Sequence, residues 1–382
     1  MRICIVYDCL YPHTVGGAER WYRNLAERLA DDGHEVTYLT LRQWEAGGDP
    51  GLRGVSVIAV GPRMPLYVGG RRRIGPPVVF GLGVLGHLAR HGRRYDVVHT
   101  ASFPYFSLLA AGLVRRLCGY RLVVDWHELW TREYWREYLG AVGGRFGSAV
   151  QKLCLRIPQH AFCFSRLHEG RLKALGVNGE VRRLEGEYEG PLQAGDAEPA
   201  EPVVVFAGRH IPEKRVLAIP PAIALAREQL PELRCEIYGD GPDRPALQQL
   251  MAELSLEQVV EVLGFVESDH IDRALSRALC LLLPSRREGY GLVVLEAAVR
   301  GTPSVVVRGS DNAATELVEE GVNGFVAASA SPDDLAAAIV QVHEHGFSLR
   351  QSSFKWFQGN AERLSLSNSL DAVAHGYSAR HR

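Results

Sequence analysis

At 382 residues the chain is too long for one ordinary hydrophobic core and suits two domains. Hydrophobic residues make up 46%, the formal charge is −1, and no run of about 18 apolar residues goes uninterrupted. These values speak for a soluble globular protein and exclude a transmembrane helix, and no nucleic-acid partner is expected.

The opening apolar run from Met1 ends at Asp8 and lacks the length and small-residue cleavage site of a signal peptide, so it reads as a first β-strand. Further strands are predicted at Glu35–Thr40, Val55–Val60, Asp96–His99, Arg121–Asp125 and His160–Phe164, with helices between them. The clearest helix is Ala18–Asp31, with Trp21, Leu25 and Leu29 at helical spacing and Gly33 as its stop. Trp126, Trp130, Tyr134, Trp135 and Tyr138 crowd one stretch. Core packing is the expected use of these aromatics, over sugar stacking or a membrane interface. Residues 186–202 are rich in Gly, Pro, Ala and acids and read as a linker. The βα rhythm then restarts with strands at Val203–Ala207, Leu233–Tyr238, Val259–Leu263, Cys280–Leu283, Ser304–Val307 and Gly324–Val326. The predicted architecture is therefore α/β, with a Rossmann-like domain over residues 1–185, the linker, a second Rossmann-like domain over 203–353, and a helical tail over 354–382 crossing back toward the first.

The seven cysteines form no C-x-x-C pair and several sit in apolar runs, which points to buried thiols in a reducing, cytoplasmic setting. Charge is uneven: through Glu189 there are 26 Lys+Arg against 18 Asp+Glu, leaving 17 against 26 for the rest. A basic first half, with Arg71-Arg72-Arg73 ahead of an apolar run, allows peripheral contact with an anionic membrane surface; a solvated loop is the plainer alternative.

Two segments carry chemistry. Pro284-Ser285-Arg286-Arg287-Glu288-Gly289-Tyr290-Gly291 follows a buried strand and opens a helix running through Leu292, Val293 and Glu296. Glycines free the backbone to approach a ligand, and a helix start offers unpaired N–H groups to an anion. Eight residues of helix turn through about 800°, which would set Glu288 and Glu296 within about a quarter turn of one face. The second segment, Gly208-Arg209-His210-Ile211-Pro212-Glu213-Lys214, also follows a strand and offers two cations for a pyrophosphate. An Asp-x-Asp motif and a His/Cys ligand cluster are both missing from the sequence, so no metal is expected.

With Tyr238-Gly239-Asp240-Gly241-Pro242, Gly16-Gly17-Ala18-Glu19, and Glu316-Leu317-Val318 followed by Gly321-Val322-Asn323-Gly324-Phe325, these segments resemble the retaining glycosyltransferases of family GT4, in order along nearly the whole chain. The resemblance implies a GT-B fold, two Rossmann-like domains facing across a deep cleft, and metal-independent transfer of a sugar from a nucleoside-diphosphate sugar to a hydroxyl acceptor. A UDP-sugar is favoured, a GDP-sugar next, and no cofactor is implied. By the same resemblance Arg209 and Lys214 hold the pyrophosphate, Glu296 takes the ribose hydroxyls, and Glu288 lies beside the sugar without acting as nucleophile. Backbone groups of Gly291, Leu292 and Val293 meet the diphosphate and sugar, Val266 meets the base, and Gly16 and Gly17 let the first helix approach the donor. His127, ending Val124-Asp125-Trp126-His127, matches the family's functional histidine. A tight turn for the glycines and a capping or core role for His127 are the alternatives. His210 replaces a more usual aliphatic residue, and Gly309 to Thr315 departs from the usual Gly-Gly pair. Rival readings are a sugar-nucleotide epimerase or glycan phosphorylase of the same architecture, and a non-catalytic nucleotide-sugar-binding protein. A dehydrogenase is disfavoured, because no G-x-G-x-x-G follows Tyr7 or Phe206.

Overall fold

The computed structural model describes residues 1–45, 47–68, 71–192 and 199–378. The chain divides into two compact units, one combining Met1–Glu185 with Ser367–Arg382 and the other spanning Gly186–Leu366. Six residues of the expected linker, 193–198, lie outside the described residues.

Unit 1 is built on strands β1 (Arg2–Val6), β2 (Glu35–Leu41), β3 (Ser56–Gly61), β4 (Val97–Ala101), β5 (Arg121–Trp126), β6 (His160–Cys163) and β7 (Val181–Arg183), all parallel in the order β3-β2-β1-β4-β5-β6-β7. Ile3, Cys4, Ile5 and Val6 are all fully buried, as a parallel sheet covered on both faces requires. Helix α1 (Gly17–Asp31) buries Trp21, Leu25 and Leu29, the predicted stripe; each such side chain contributes roughly 1.5–3 kcal/mol. Helices α2 (Gly75–His91), α3 (Tyr105–Cys118), α4 (Arg132–Leu155) and α5 (Arg166–Ala174) follow in turn. The sequence reading had no strand at Val181–Arg183, whose Arg-Arg pair masks a three-residue edge strand.

The aromatic stretch belongs to the core. Trp126 ends β5, Thr131 caps α4 by accepting from the Tyr134 N–H at 3.2 Å, and Trp126, Tyr134 and Trp135 are buried. Buried Gln151 binds the cluster together, accepting from Tyr105 Oη at 2.9 Å, Trp135 Nε1 at 3.1 Å and the Trp130 N–H at 3.2 Å.

Unit 2 repeats the plan with β8 (Val203–Ala207), β9 (Arg234–Tyr238), β10 (Val260–Gly264), β11 (Cys280–Leu283), β12 (Ser304–Val307) and β13 (Gly324–Ala327), again all parallel and ordered β10-β9-β8-β11-β12-β13. Its helices are α6 (Ile219–Ala226), α7 (Arg244–Glu253), α8 (Ser268–Arg277), α9 (Leu292–Ala298) and α10 (Pro332–Leu364), the last interrupted at Gly346, where φ is 56°. Arg350 on α10 is buried, and its guanidinium donates to the carbonyls of Ala278 and Ser276, both at 2.5 Å, at the carboxyl end of α8. A cation there answers the helix dipole and fills carbonyls that the helix leaves open.

Helix α11 (Leu366–Ser378) returns to unit 1. Asp371 pairs with Arg28 of α1 at 2.7 Å, and Tyr377 is buried. All seven cysteines are free, and among the described residues no helix is long and apolar enough to cross a membrane.

Candidate functional site

In both sheets the strand order reverses once, between β1 and β4 and between β8 and β11. Loops leaving two such strands diverge to opposite faces, so a crevice opens at their carboxyl ends, where open α/β sheets take their ligands.

In unit 2 both chemistry-bearing segments leave the sheet at that reversal. The first is zipped to the neighbouring loop: the Gly208 N–H donates to Tyr238 O at 3.1 Å and the His210 N–H to Asp240 O at 2.8 Å. Gly239 and Gly241 make this possible, because a Cβ would stand 2.0 Å from Gly208 O and 2.4 Å from His210 O respectively. The second segment is tied to the first by the Arg286 N–H, which donates to Glu213 O at 2.8 Å. Lys214 Nζ then donates to Glu288 Oε1 at 2.5 Å, both side chains being mostly buried. Arg209 is exposed, and its guanidinium has no partner among the described residues.

The helical link between the two acids does not hold. Gly291 has φ 104° and caps α9, which starts only at Leu292, so Glu288 lies on a two-residue strand, Arg287–Glu288, and not on the helix. Glu296 alone is helical and is half-buried. Gly291 is required on two counts: its φ is left-handed, and a Cβ would meet Ala314 Cβ at 2.6 Å. The first amides of α9, at Leu292 and Val293, have no acceptor within the helix. Val266 follows β10, half-buried beside the exposed ring of Phe265.

The departing loop 309–315 is explained by Asn312, which sequence reasoning passed over. Arg287–Glu288 pairs with Asp311–Asn312. Asn312 Nδ2 donates to Ser285 O at 3.1 Å and Val307 O at 2.8 Å, and its Oδ1 accepts from the Ala314 N–H at 3.1 Å. His210 is fully buried where an aliphatic residue is usual, and burial pushes its imidazole below the ordinary value against the pull of Asp240. Tyr188, inside the stretch expected as linker, is buried against Phe357 at 5.2 Å between ring centroids. Its hydroxyl is held above the usual range by burial, with Arg300 opposing and Asp272 and Glu296 adding to the rise.

The remaining predicted residues belong to unit 1. Gly16 has extended backbone, and a Cβ there would touch only the flexible Glu19 carboxylate; at Gly17 a Cβ would meet nothing within 4 Å. Nothing inside the protein therefore demands a glycine at Gly17. His127 lies just past β5, half-buried and stacked on Phe164 at 4.5 Å with planes 6° apart. Its Nε2 is buried without a partner among the described residues. Burial holds the ring below its ordinary value, against the pull of Asp125 and Glu128, so it is neutral at neutral pH. Asp8, two residues past β1, is fully buried and paired with Arg72, whose guanidinium lies 5.0 Å over the Phe103 ring. An acid ending an apolar run was the available signal for Asp8.

Two family profiles cover most of the chain: "Glycosyl transferase 4-like domain" matches residues 16–184 and "Glycosyl transferases group 1" matches residues 193–353. An uncharacterized glycosyltransferase of Methanocaldococcus jannaschii is 24% identical over 363 residues, 90% of this chain and 89% of its own. Among solved structures, sucrose-phosphate synthase from Thermosynechococcus elongatus superposes with TM-score 0.80 at 18% identity, covering 99% of this chain and 98% of its own. Anabaena HepE in complex with UDP and glucose superposes with TM-score 0.75 at 18% identity, covering all of both chains.

Proposed function

Starting from a chain that belongs to the group 1 glycosyltransferases of family GT4, with the GT-B fold, we propose that it transfers a sugar from a UDP-sugar to a hydroxyl acceptor with retention at the anomeric carbon and without a metal. The single observation that carries the donor side is the pairing of two strand-end loops at the β8/β11 reversal. It ties one cation, Lys214, to Glu288, just ahead of the glycine-started helix α9, and leaves Arg209 on the same loop exposed and unengaged among the described residues. Cleavage of the bond between the anomeric carbon and the diphosphate leaves negative charge on the departing group, and two cations stabilise that charge as it grows. Glu288 is held by Lys214 and serves the sugar hydroxyls, not the anomeric carbon. For His127 and Gly17 of unit 1 a donor role is proposed from the resemblance: Nε2 of His127 has no partner among the described residues, and the fold itself does not require Gly17. UDP is preferred because HepE, of the same fold, is solved with UDP and glucose.

Calorimetric titration with UDP, GDP, ADP, TDP and NAD tests the donor class. UDP is expected to bind, and Glu296→Ala to weaken it about tenfold to a hundredfold through loss of charge-assisted hydrogen bonds to the ribose. Failure of every diphosphate to bind, or binding of NAD alone, overturns the reading.

The acceptor is proposed to be a hydroxyl of a sugar, a lipid-linked sugar or a small molecule, met by unit 1 at the anionic inner face of a membrane. Supporting this, Val142, Phe146 and Leu153 fall on one face of α4 at spacings of four and seven residues. They and Leu113 and Leu117 of the packed helix α3 are each more than half exposed. Arg116, Arg145, Lys152 and Arg156 stand exposed among them, and no Asp or Glu occurs between Glu137 and Glu169 or between Asp96 and Asp125. Apolar side chains set in an acid-free basic field suit an interfacial position. Sedimentation with phosphatidylglycerol-containing vesicles, but not pure phosphatidylcholine vesicles, is expected, weakening as salt shortens the Debye length. Phe146→Ser with Leu113→Ser should remove it; binding indifferent to that double substitution would count against the surface.

A further inference from the structure

The strongest unassigned feature is a chain of buried polar side chains that starts on α11 and ends beside His127. Tyr377 Oη lies 2.5 Å from His99 Nδ1. The other ring nitrogen of His99, Nε2, lies 2.8 Å from Asp125 Oδ1, and both side chains are fully buried. The second oxygen of Asp125 accepts from Trp21 Nε1 at 2.8 Å. Trp21 meets Phe164 edge-on at 5.0 Å between ring centroids, and Phe164 is the ring on which His127 stacks. Tyr22 stands edge-on to both histidines, at 6.1 Å from His99 and 5.9 Å from His127. Three elements far apart in the chain, α1, β4 and, through His99, α11, thus converge on one buried carboxylate two residues before His127.

We infer that Tyr377, His99 and Asp125 are positioning residues for His127, so that docking of the last helix sets the state of a histidine at the site. The inference rests on His127 serving the donor, as proposed above. With the charged Asp125 carboxylate 2.8 Å from Nε2, His99 carries its proton on Nε2, which leaves Nδ1 to accept from the Tyr377 hydroxyl. Asp125 so fixed orients Trp21, whose edge holds Phe164, and it presents its charge to His127. Burial tends to raise the Asp125 carboxyl, but His99, then His127 and Trp21, outweigh it and hold it below the usual range, so it stays charged. The charged and titratable groups facing His127 are Asp125 and Glu128 on its own strand end, His99 on β4 and Tyr22 on α1. Glu128 is itself engaged by Trp130 Nε1 at 3.0 Å.

Two variants of the full chain, Tyr377→Phe and Asp125→Asn, test this with UDP-sugar turnover and with nitrogen-15 spectra of the histidine rings. Tyr377→Phe keeps the ring and its packing. It is expected to lower kcat about tenfold with little change in KM for the donor, and to make the His99 ring populate both tautomers. Asp125→Asn should move the acid limb of the kcat–pH profile to lower pH, because the carboxylate that opposes burial at His127 is gone. The inference is overturned if Tyr377→Phe lowers only the melting temperature and leaves kcat and the His99 tautomer unchanged. It is equally overturned if the His127 ring titrates identically in wild type and Asp125→Asn. Because the ring spectra need no substrate, they can fail or succeed independently of UDP binding, which tests the functional reading.

Discussion

Arg209→Gln is expected to lower sugar transfer, or donor hydrolysis in the absence of acceptor, by roughly 10²–10³-fold while leaving the melting temperature unchanged. The two halves of that expectation have separate grounds. Arg209 is exposed and has no side-chain partner among the described residues, so the fold gains nothing measurable from its charge. It nevertheless follows β8 at the point where the sheet order reverses, beside the loop that Lys214 ties to Glu288. A cation that does no structural work and stands at the carboxyl edge of the sheet is free to serve a ligand. Since charge on the diphosphate grows as the bond breaks, the loss should fall more on kcat than on UDP affinity. Turnover within threefold of wild type would remove Arg209 from the pyrophosphate site.

Lys214→Met should be at least as damaging to turnover and, unlike Arg209→Gln, should also destabilise unit 2. Lys214 and Glu288 are 2.5 Å apart and mostly buried. Removing one partner of such a pair leaves an uncompensated charge and costs about 3 kcal/mol, whereas replacing both is close to neutral. The double variant Lys214→Met, Glu288→Gln is therefore expected to recover most of the lost stability in urea denaturation while remaining inactive. Recovery of activity along with stability would show that the pair serves the fold alone.

Much of the frame was legible because parallel strands buried on both faces must be continuous apolar runs, and Val203–Ala207 or Cys280–Leu283 can hardly be anything else. The cationic loop was legible for a related reason: polar residues directly after such a run lie at the sheet's carboxyl edge. The placing of Glu288 was not. Spacing alone suggested one helix from Glu288 to Glu296, but the left-handed backbone at Gly291 resets the chain and delays the helix to Leu292. The role of Asn312 was equally hidden, because its hydrogen bonds run to Ser285 and Val307 across a loop that sequence cannot fold. His99 and Asp125 did leave a trace, as polar residues inside otherwise apolar strands. What joins them to Tyr377 is 278 positions away along the chain from His99.

Unit 2 begins at Gly186 and ends at Leu366, enclosed on both sides by sequence belonging to unit 1. During synthesis the order of completion is thereby inverted. Every residue of unit 2 has left the ribosome before Asp371 can reach Arg28 or Tyr377 can reach His99. Domains usually finish in the order they are made; here the domain begun first finishes last. A ribosome stalled just short of Ser367 would display a complete second sheet beside a first one still lacking its final helix.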